Sequence, residues 1–281
     1  MSRMLALLLV LEAVVTAQQN PSPMVEHARP HPRLKEESLA GLREKLSTGT
    51  LFIPAKLARR TSLPLVLHFH GGTWLPEVAA NTSGRFAAIA VQSGSGSAAY
   101  AKPFAAAGSF AAMLREAEQK SGKRFGPVIL TAWSAGCGAV REILRVPENY
   151  ARVDKVLLID GLHASYVSGK PGPLESELVA ENLDIFLQFA RDAVGGRKTF
   201  LVTHSEIFPG TFASTTETAD WLLSRLSLRR RPALRKGPMG LQQLSEAGSG
   251  RFRVIGYAGN SAPDHVDQLH SLPVFLKWLL R

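Results

Sequence analysis

The stretch Val128-Ile129-Leu130-Thr131-Ala132-Trp133-Ser134-Ala135-Gly136-Cys137-Gly138-Ala139-Val140 decides how this chain folds. It opens on a short apolar run with β-branched Val128, Ile129 and Thr131 and passes through a serine set among alanine and glycine. It then continues into Arg141-Glu142-Ile143-Leu144-Arg145-Val146 with helical spacing until Pro147. A strand, a sharp turn and a helix follow from that pattern. A serine at such a turn sits in a strained backbone conformation that only small neighbours tolerate, and Ala132 and Gly136 are small. Its hydroxyl is then held above the sheet, beside a helix N-terminus whose free N–H groups favour developing negative charge. Without chemistry, the same residues make a close-packed loop, and one small-x-Ser-x-Gly match does not separate the two readings.

The chain has 281 residues, 45% of them hydrophobic, with 24 glycines and 17 prolines, which suits one large core with many turns. One α/β domain accounts for this better than two small ones. The formal net charge of +10 bears on solubility and on attraction to acidic surfaces, and names no partner by itself. Arg3, the apolar run Met4 to Leu11 and the small-residue ending Ala13-Val14-Val15-Thr16-Ala17 read as a secretory signal over residues 1–17, despite Glu12. The run is short for a membrane span, so a secreted or periplasmic product without stable membrane insertion is expected; a buried or membrane-associated helix is the alternative. Cys137 is the single cysteine, so no internal disulfide is available, and a buried, small apolar role suits it better than a reactive one. Residues 18–45 read as a linker followed by a short surface helix, with Leu34, Leu39, Leu42 and Leu46 set among charges, and the main domain occupies 46–281.

Within that domain, Leu51-Phe52-Ile53 reads as an early strand, and Leu63 to Phe69 as a strand running into His70-Gly71-Gly72-Thr73. A strand ending in His-Gly-Gly leaves backbone N–H groups free to point into a cleft, and glycine lets a substrate oxygen approach closely; an ordinary strand-end turn is the alternative. His68 and His70 share a strand face, yet a metal site needs at least one further ligand. Phe86 to Gln92 reads as a buried strand. The loop Ser93-Gly94-Ser95-Gly96-Ser97-Ala98-Ala99-Tyr100 lacks any Gly-Lys-Ser/Thr or Gly-x-Gly-x-x-Gly pattern, which argues against a nucleotide site; it is expected to border a substrate cleft, with Tyr100 as a contact. Ser109 to Lys120 has helical spacing.

Beyond the central stretch, Val153 to Gly161 makes another buried strand ending in a carboxylate, and an acid at the carboxyl end of a strand in an open α/β sheet faces the ligand crevice. Asp160 is therefore the candidate to orient a histidine, with a local turn role before Gly161 as its alternative and Glu206, after the strand Thr199 to His204, as its competitor. Residues 163–193 are expected to form a small cap with His163 and Tyr166 near its base. Thr218 to Leu228 reads as a helix capped by Thr215 or Thr216. Arg225, Arg229, Arg230, Arg231, Arg235 and Lys236 form a run without an acid; no aromatic residues interleave it, so a solvated basic face is expected rather than a nucleic-acid surface. Arg251 to Tyr257 alternates like a terminal strand, and the loop after it leads to His265 ahead of a closing helix. His265 is the candidate base, with His204 and His270 as other candidates.

The order Ser134, Asp160, His265 along the chain resembles that of the α/β-hydrolase superfamily, with Ala132-Trp133-Ser134-Ala135-Gly136 as its nucleophile elbow and His70-Gly71-Gly72 as its oxyanion turn. The resemblance covers about residues 46 to 281, and Ala132 stands where glycine is commonest. It implies a twisted, mostly parallel sheet of about eight strands with helices on both faces. It also implies catalysis by Ser134, His265 and Asp160, with the N–H groups of Ala135 and of Gly72 or Thr73 as oxyanion donors. No metal or organic cofactor is required. The expected activity is hydrolysis of a carboxylic ester, on a small molecule or linked to a polysaccharide. A peptidase or acyltransferase with the same triad, or a non-catalytic protein holding an acidic glycan, are the other readings.

Overall fold

Among the described residues, ten strands join in one sheet. In chain order they are β1 (Gly41–Lys45), β2 (Thr50–Pro54), β3 (Ser62–Phe69), β4 (Ala87–Val91), β5 (Arg124–Trp133), β6 (Val153–Ile159), β7 (Thr199–His204), β8 (Arg231–Lys236), β9 (Gln242–Ser249) and β10 (Phe252–Tyr257). The computed structural model describes residues 33–172 and 176–281, so the expected signal over 1–17 lies outside the described residues. Across the sheet the order is β1-β2-β4-β3-β5-β6-β7-β10-β9-β8. The six strands from β4 to β10 in that order pair in parallel, and antiparallel pairings add β2 and β1 at one edge and β9 and β8 at the other.

Alternation along the central strands explains the layers. In β5, Val128, Leu130 and Ala132 join one buried cluster, together with the helices Ser109–Ser121, Cys137–Arg145, Asp184–Val194 and Thr215–Arg225. Ile129 joins the other cluster, with the helices Trp74–Ser83 and Leu272–Leu279. Because both faces are covered, a strand such as β5 buries successive residues and reads as a continuous apolar run. Register then aligns the carboxyl ends: Phe69 pairs with Ala132, and Trp133 with Ile159. The turns after β3, β5 and β6 therefore share one rim. Among the described residues, no helix is long and apolar enough to cross a membrane.

Several expectations require correction. The sheet has ten strands where about eight are expected, because residues 231–249 of the basic region form an added hairpin. The segment 34–46 is no surface helix: Leu34 and Leu39 pack on the second cluster, and Gly41–Lys45 pairs with β2 as an edge strand, so the sheet begins before residue 46. Gly41 sits where a Cβ would lie 2.4 Å from the Ile53 carbonyl oxygen, an approach that edge pairing demands of glycine. The expected cap is smaller than 163–193. Its described first part is extended, with one bridge between Tyr166 and Leu178, whereas Phe186, Phe189, Ala190 and Ala193 give Asp184–Val194 an apolar face that packs on the sheet. The later helix starts at Thr215 rather than Thr218 and is capped by Ser214, whose hydroxyl accepts from the Glu217 N–H while the Glu217 carboxylate accepts from the Ser214 N–H.

Candidate active site

Ser134 occupies the turn between β5 and the helix Cys137–Arg145, with φ at 47°. That left-handed conformation is disfavoured for a residue with a Cβ and persists only where the surroundings fix it. The surroundings are tight. A Cβ on Gly136 would lie 2.2 Å from the Phe69 carbonyl oxygen, and one on Gly161 would lie 2.6 Å from the Ser134 nitrogen. The serine faces a cleft of about 490 Å³ whose lining includes Ala135, His70, Arg141, His163 and Phe212.

Asp160 follows β6 with φ at 41° and is 2% exposed. Its Oδ1 accepts the Ser205 N–H at 2.8 Å and the Thr215 hydroxyl at 2.6 Å, and its Oδ2 lies 2.7 Å from His265 Nδ1. Burial alone would raise its pKa. The hydrogen bonds and charge of His265, followed by the bonds from Thr215 and Ser205, outweigh burial and hold the carboxyl well below the usual carboxylate range. The capping box starting at Ser214 thus places Thr215 directly against the acid.

His265 is held from two sides. It lies in the first turn of the helix Ala262–His270 rather than in the preceding loop, behind a capping box in which Asp264 accepts from the Ser261 N–H at 2.9 Å. Its ring packs against the Trp133 indole with centroids 4.4 Å apart, and Trp133 Nε1–H donates to the His265 carbonyl at 3.1 Å. The residue immediately before Ser134 therefore clamps the histidine to the elbow. With Nδ1 committed to Asp160, Nε2 is the ring nitrogen left to accept a proton from a hydroxyl.

A buried carboxylate after β6, a histidine after β10 and a strained serine after β5 meet at one rim of a mostly parallel sheet. This is the α/β-hydrolase fold. Ser134, Asp160 and His265 follow one another in the Ser…Asp…His chain order associated with this fold. Glu206 is exposed and lies outside the network around Asp160. His204 is a structural residue: its Nδ1–H donates to the Ser205 carbonyl at 3.0 Å and its Nε2 accepts from Arg230 at 2.6 Å. Burial, then the Arg230 charge, lowers its pKa to about 4. His270 packs edge-on against Trp74 at 5.7 Å, away from the elbow.

The turn after β3 behaves differently from expectation. His70 takes φ 72° and Gly71 φ 99°, so it is His70 that borders the cleft, while Gly72 and Thr73 lead into the helix Trp74–Ser83 and are absent from the cleft lining. The His70 N–H is spent on the Val91 carbonyl at 3.1 Å. Its ring stacks on Trp133 at 4.9 Å, and its Nδ1 meets the Tyr100 hydroxyl at 2.7 Å. Tyr100 is fully buried and lies 3.0 Å from both Gln92 Oε1 and the Gly94 carbonyl, so it braces the loop after β4 instead of touching substrate. His68, bonded to Thr131 at 2.8 Å, has its pKa lowered to about 3 by burial and then by the His70 charge. The two rings are thus committed to different partners.

Sequence reasoning missed Thr215 and Ser205 as holders of the acid, Trp133 as the clamp, and Arg141 in the cleft. Only Thr215 carried a signal, in the Ser214-x-x-Glu217 capping pattern that sets the helix start. The basic run is largely accounted for. Arg225 stacks over Trp221 at 3.6 Å, Arg230 pairs with Asp220 at 2.5 Å, and Arg231 and Arg235 share Glu246 at 3.6 and 3.2 Å.

No family model matches the chain, and no curated protein matches it. Solved structures do. A fungal esterase from Rhizomucor miehei aligns at 10% identity over 87% of this chain and 84% of its own, with a TM-score of 0.47. An arylesterase aligns at 14% identity over 90% and 89%, also with a TM-score of 0.47. The carboxylesterase CesB from Bacillus subtilis aligns at 12% identity over 90% and 93%, with a TM-score of 0.44.

Proposed function

We propose that this chain is a serine hydrolase that cleaves carboxylic esters through an acyl-enzyme on Ser134. The observation that carries the reading is the 2.7 Å bond between His265 Nδ1 and Asp160 Oδ2, made by a histidine clamped to the residue before the serine. In the first step His265 Nε2 takes the Ser134 proton as Oγ bonds to the ester carbonyl carbon, and the carbonyl oxygen takes the negative charge. Asp160 keeps the imidazole in the required tautomer and favours its charged form. The tetrahedral species collapses as the C–O bond to the alcohol breaks, and His265 returns the proton to the leaving oxygen. Water, deprotonated by the same nitrogen, then releases the acid and restores Ser134.

The Ala135 N–H, at the start of the helical turn after Ser134, serves as one oxyanion donor. The His70 N–H is already used and Gly72 and Thr73 do not line the cleft, so Ala135 is the donor on which the reading relies, and losing it costs about 3 kcal/mol of transition-state stabilisation. Export from the cytoplasm belongs to the same proposal, supported by the pattern of residues 1–17; a mature N-terminus at Gln18 in the exported protein is the expected result.

A fluorophosphonate probe tests the reading directly. The native protein is expected to be labelled at Ser134 and to hydrolyse short acyl esters, and Ser134→Ala to do neither. Labelling that survives Ser134→Ala would sink the assignment.

A further inference from the structure

Arg141 lies seven residues beyond Ser134 on the helix that leaves the elbow. Helical side chains lean back toward the N-terminus, here toward the elbow that carries the serine. Arg141 and Ser134 line the same cleft. Among the described residues, the guanidinium is anchored by main-chain carbonyls alone: Nε donates to Asn182 at 2.9 Å and Nη2 to His163 at 2.5 Å. The Phe186 ring lies 5.9 Å from its central carbon. These contacts fix its position without neutralising its charge, and they leave the Nη1 hydrogens and one on Nη2 uncommitted. Among the described residues, the cleft lining contains no aspartate or glutamate. Its two histidines, His70 and His163, are both held below the ordinary imidazole range, by burial first and then by neighbouring positive charge, so Arg141 supplies the full charge of the cleft at neutral pH.

An arginine that lines the cleft and has no carboxylate partner among the described residues matches a planar anion, which accepts two parallel N–H bonds. We propose that Arg141 forms an anion subsite and that the esters cleaved at Ser134 carry a second, free carboxylate that docks there. This deepens the ester-hydrolase reading and rests on it. The carboxylate can arrive on the acyl side, as in the half-ester of a short dicarboxylic acid, or on the alcohol side, as in an ester of a hydroxy acid.

The test compares matched nitrophenyl esters of butyrate, succinate and glutarate for the acyl side, and acetoxybenzoate against acetoxybenzamide for the alcohol side. In at least one series, kcat/KM for the anionic member is expected to exceed its neutral counterpart by roughly 10- to 100-fold. In Arg141→Gln that ratio falls to near one, whereas Arg141→Lys, a point charge without the fork, keeps part of it. No anionic preference in either series overturns the proposal, as does an Arg141→Gln protein that loses both members of a pair alike. Should the glutamine variant not fold, competitive inhibition of the native enzyme by glutarate, relieved by added salt, decides: its absence is fatal to the subsite. The two readings fail separately. A native protein that cleaves no ester and resists the fluorophosphonate sinks the hydrolase, while calorimetric binding of glutarate, weakened in Arg141→Gln, would still uphold the anion subsite.

Discussion

The parallel strands carry charge at both ends, and the two ends handle it in opposite ways. At the carboxyl ends, Asp160 is 2% exposed, both of its oxygens are used, and the left-handed residues His70, Ser134 and Asp160 surround the cleft. Toward the amino ends, Lys155, Arg251 and Arg253 join Arg235 and Arg281 around a cavity of about 510 Å³ in which Glu246 is the one acid among the lining residues. That cavity is the larger of the two and has more charge. Its arginines are nevertheless exposed, and no non-glycine residue of its lining takes a positive φ. Volume and charge therefore do not mark the reactive end. Buried, fully satisfied hydrogen bonding together with backbone strain does, because both are costly unless the surrounding structure holds them for a purpose.

The largest effect that can break this contrast lies at Asp160. Replacing it by asparagine keeps the shape but offers His265 the wrong hydrogen-bonding partner, so turnover of a neutral ester is expected to fall by about 10⁴-fold, while Glu206→Gln stays near the native rate. Steady-state kinetics on both variants reads this out. The reverse ranking would transfer the acid role to Glu206 and leave the Asp160 network a structural one.

A smaller effect sharpens the role of strain. Gly136→Ala sets a methyl group against the Phe69 main chain at a spot where a Cβ would lie 2.2 Å from the carbonyl oxygen. Since β3 and the elbow cannot separate without disturbing both, a loss of roughly 2 to 3 kcal/mol in urea unfolding is expected, with slower fluorophosphonate labelling. A variant of native stability and labelling rate would show that the elbow is looser than its geometry implies.

How much of this was legible in the chain depends on distance. The strand–turn–helix at Ser134 is written locally, in small residues and a change of period, and so is the carboxylate ending β6. The order of chemistry along the chain then suffices for the fold class. What escaped was set by contacts across the sheet. Gly41–Lys45 reads as a helix until β2 offers it an edge, and Tyr100 reads as a substrate contact until His70 and Gln92 bury its hydroxyl. Arg141 looked like any charge on an amphipathic helix. Only the return of residues 163 and 182 over the cleft gives it carbonyl partners.

Histidines near the rim predict a pH dependence. His163 is lowered to about 4, by burial first and with the charges of His265, Arg141 and His70 adding to it against the pull of Asp160. A base held neutral in the native state contributes stability that is complete above its ordinary pKa of 6.5 and is lost as pH falls toward 4, since the unfolded chain takes up the proton first. His204 acts in the same sense over the same window. Asp160, also held down, loses its contribution only below its ordinary value of 3.8, outside that window. Native Tm is therefore expected to fall between pH 7 and pH 4.5, and the fall to be shallower in His163→Gln. Equal slopes would mean that His163 is charged in the folded protein.

The least effect is expected at the other end of the strands. Arg251 and Arg253 are exposed and form no salt bridge with a described carboxylate. Lys155 has its pKa lowered by burial and next by the charge of Arg251, so the two cations repel. Removing that neighbour by Arg251→Gln relieves the repulsion and costs little packing. The expected change is a stabilisation of no more than about 0.5 kcal/mol at low salt, fading as ions screen the pair, with ester turnover unchanged. Arg253→Gln should be near neutral by the same reasoning. Urea melts at low and high salt, run beside turnover assays, measure both quantities. A loss above about 1 kcal/mol, or any drop in kcat, would mean that these arginines hold something in place. The amino-terminal cavity would then have to be counted as a built site, and the contrast between the two ends would fail at its quieter end.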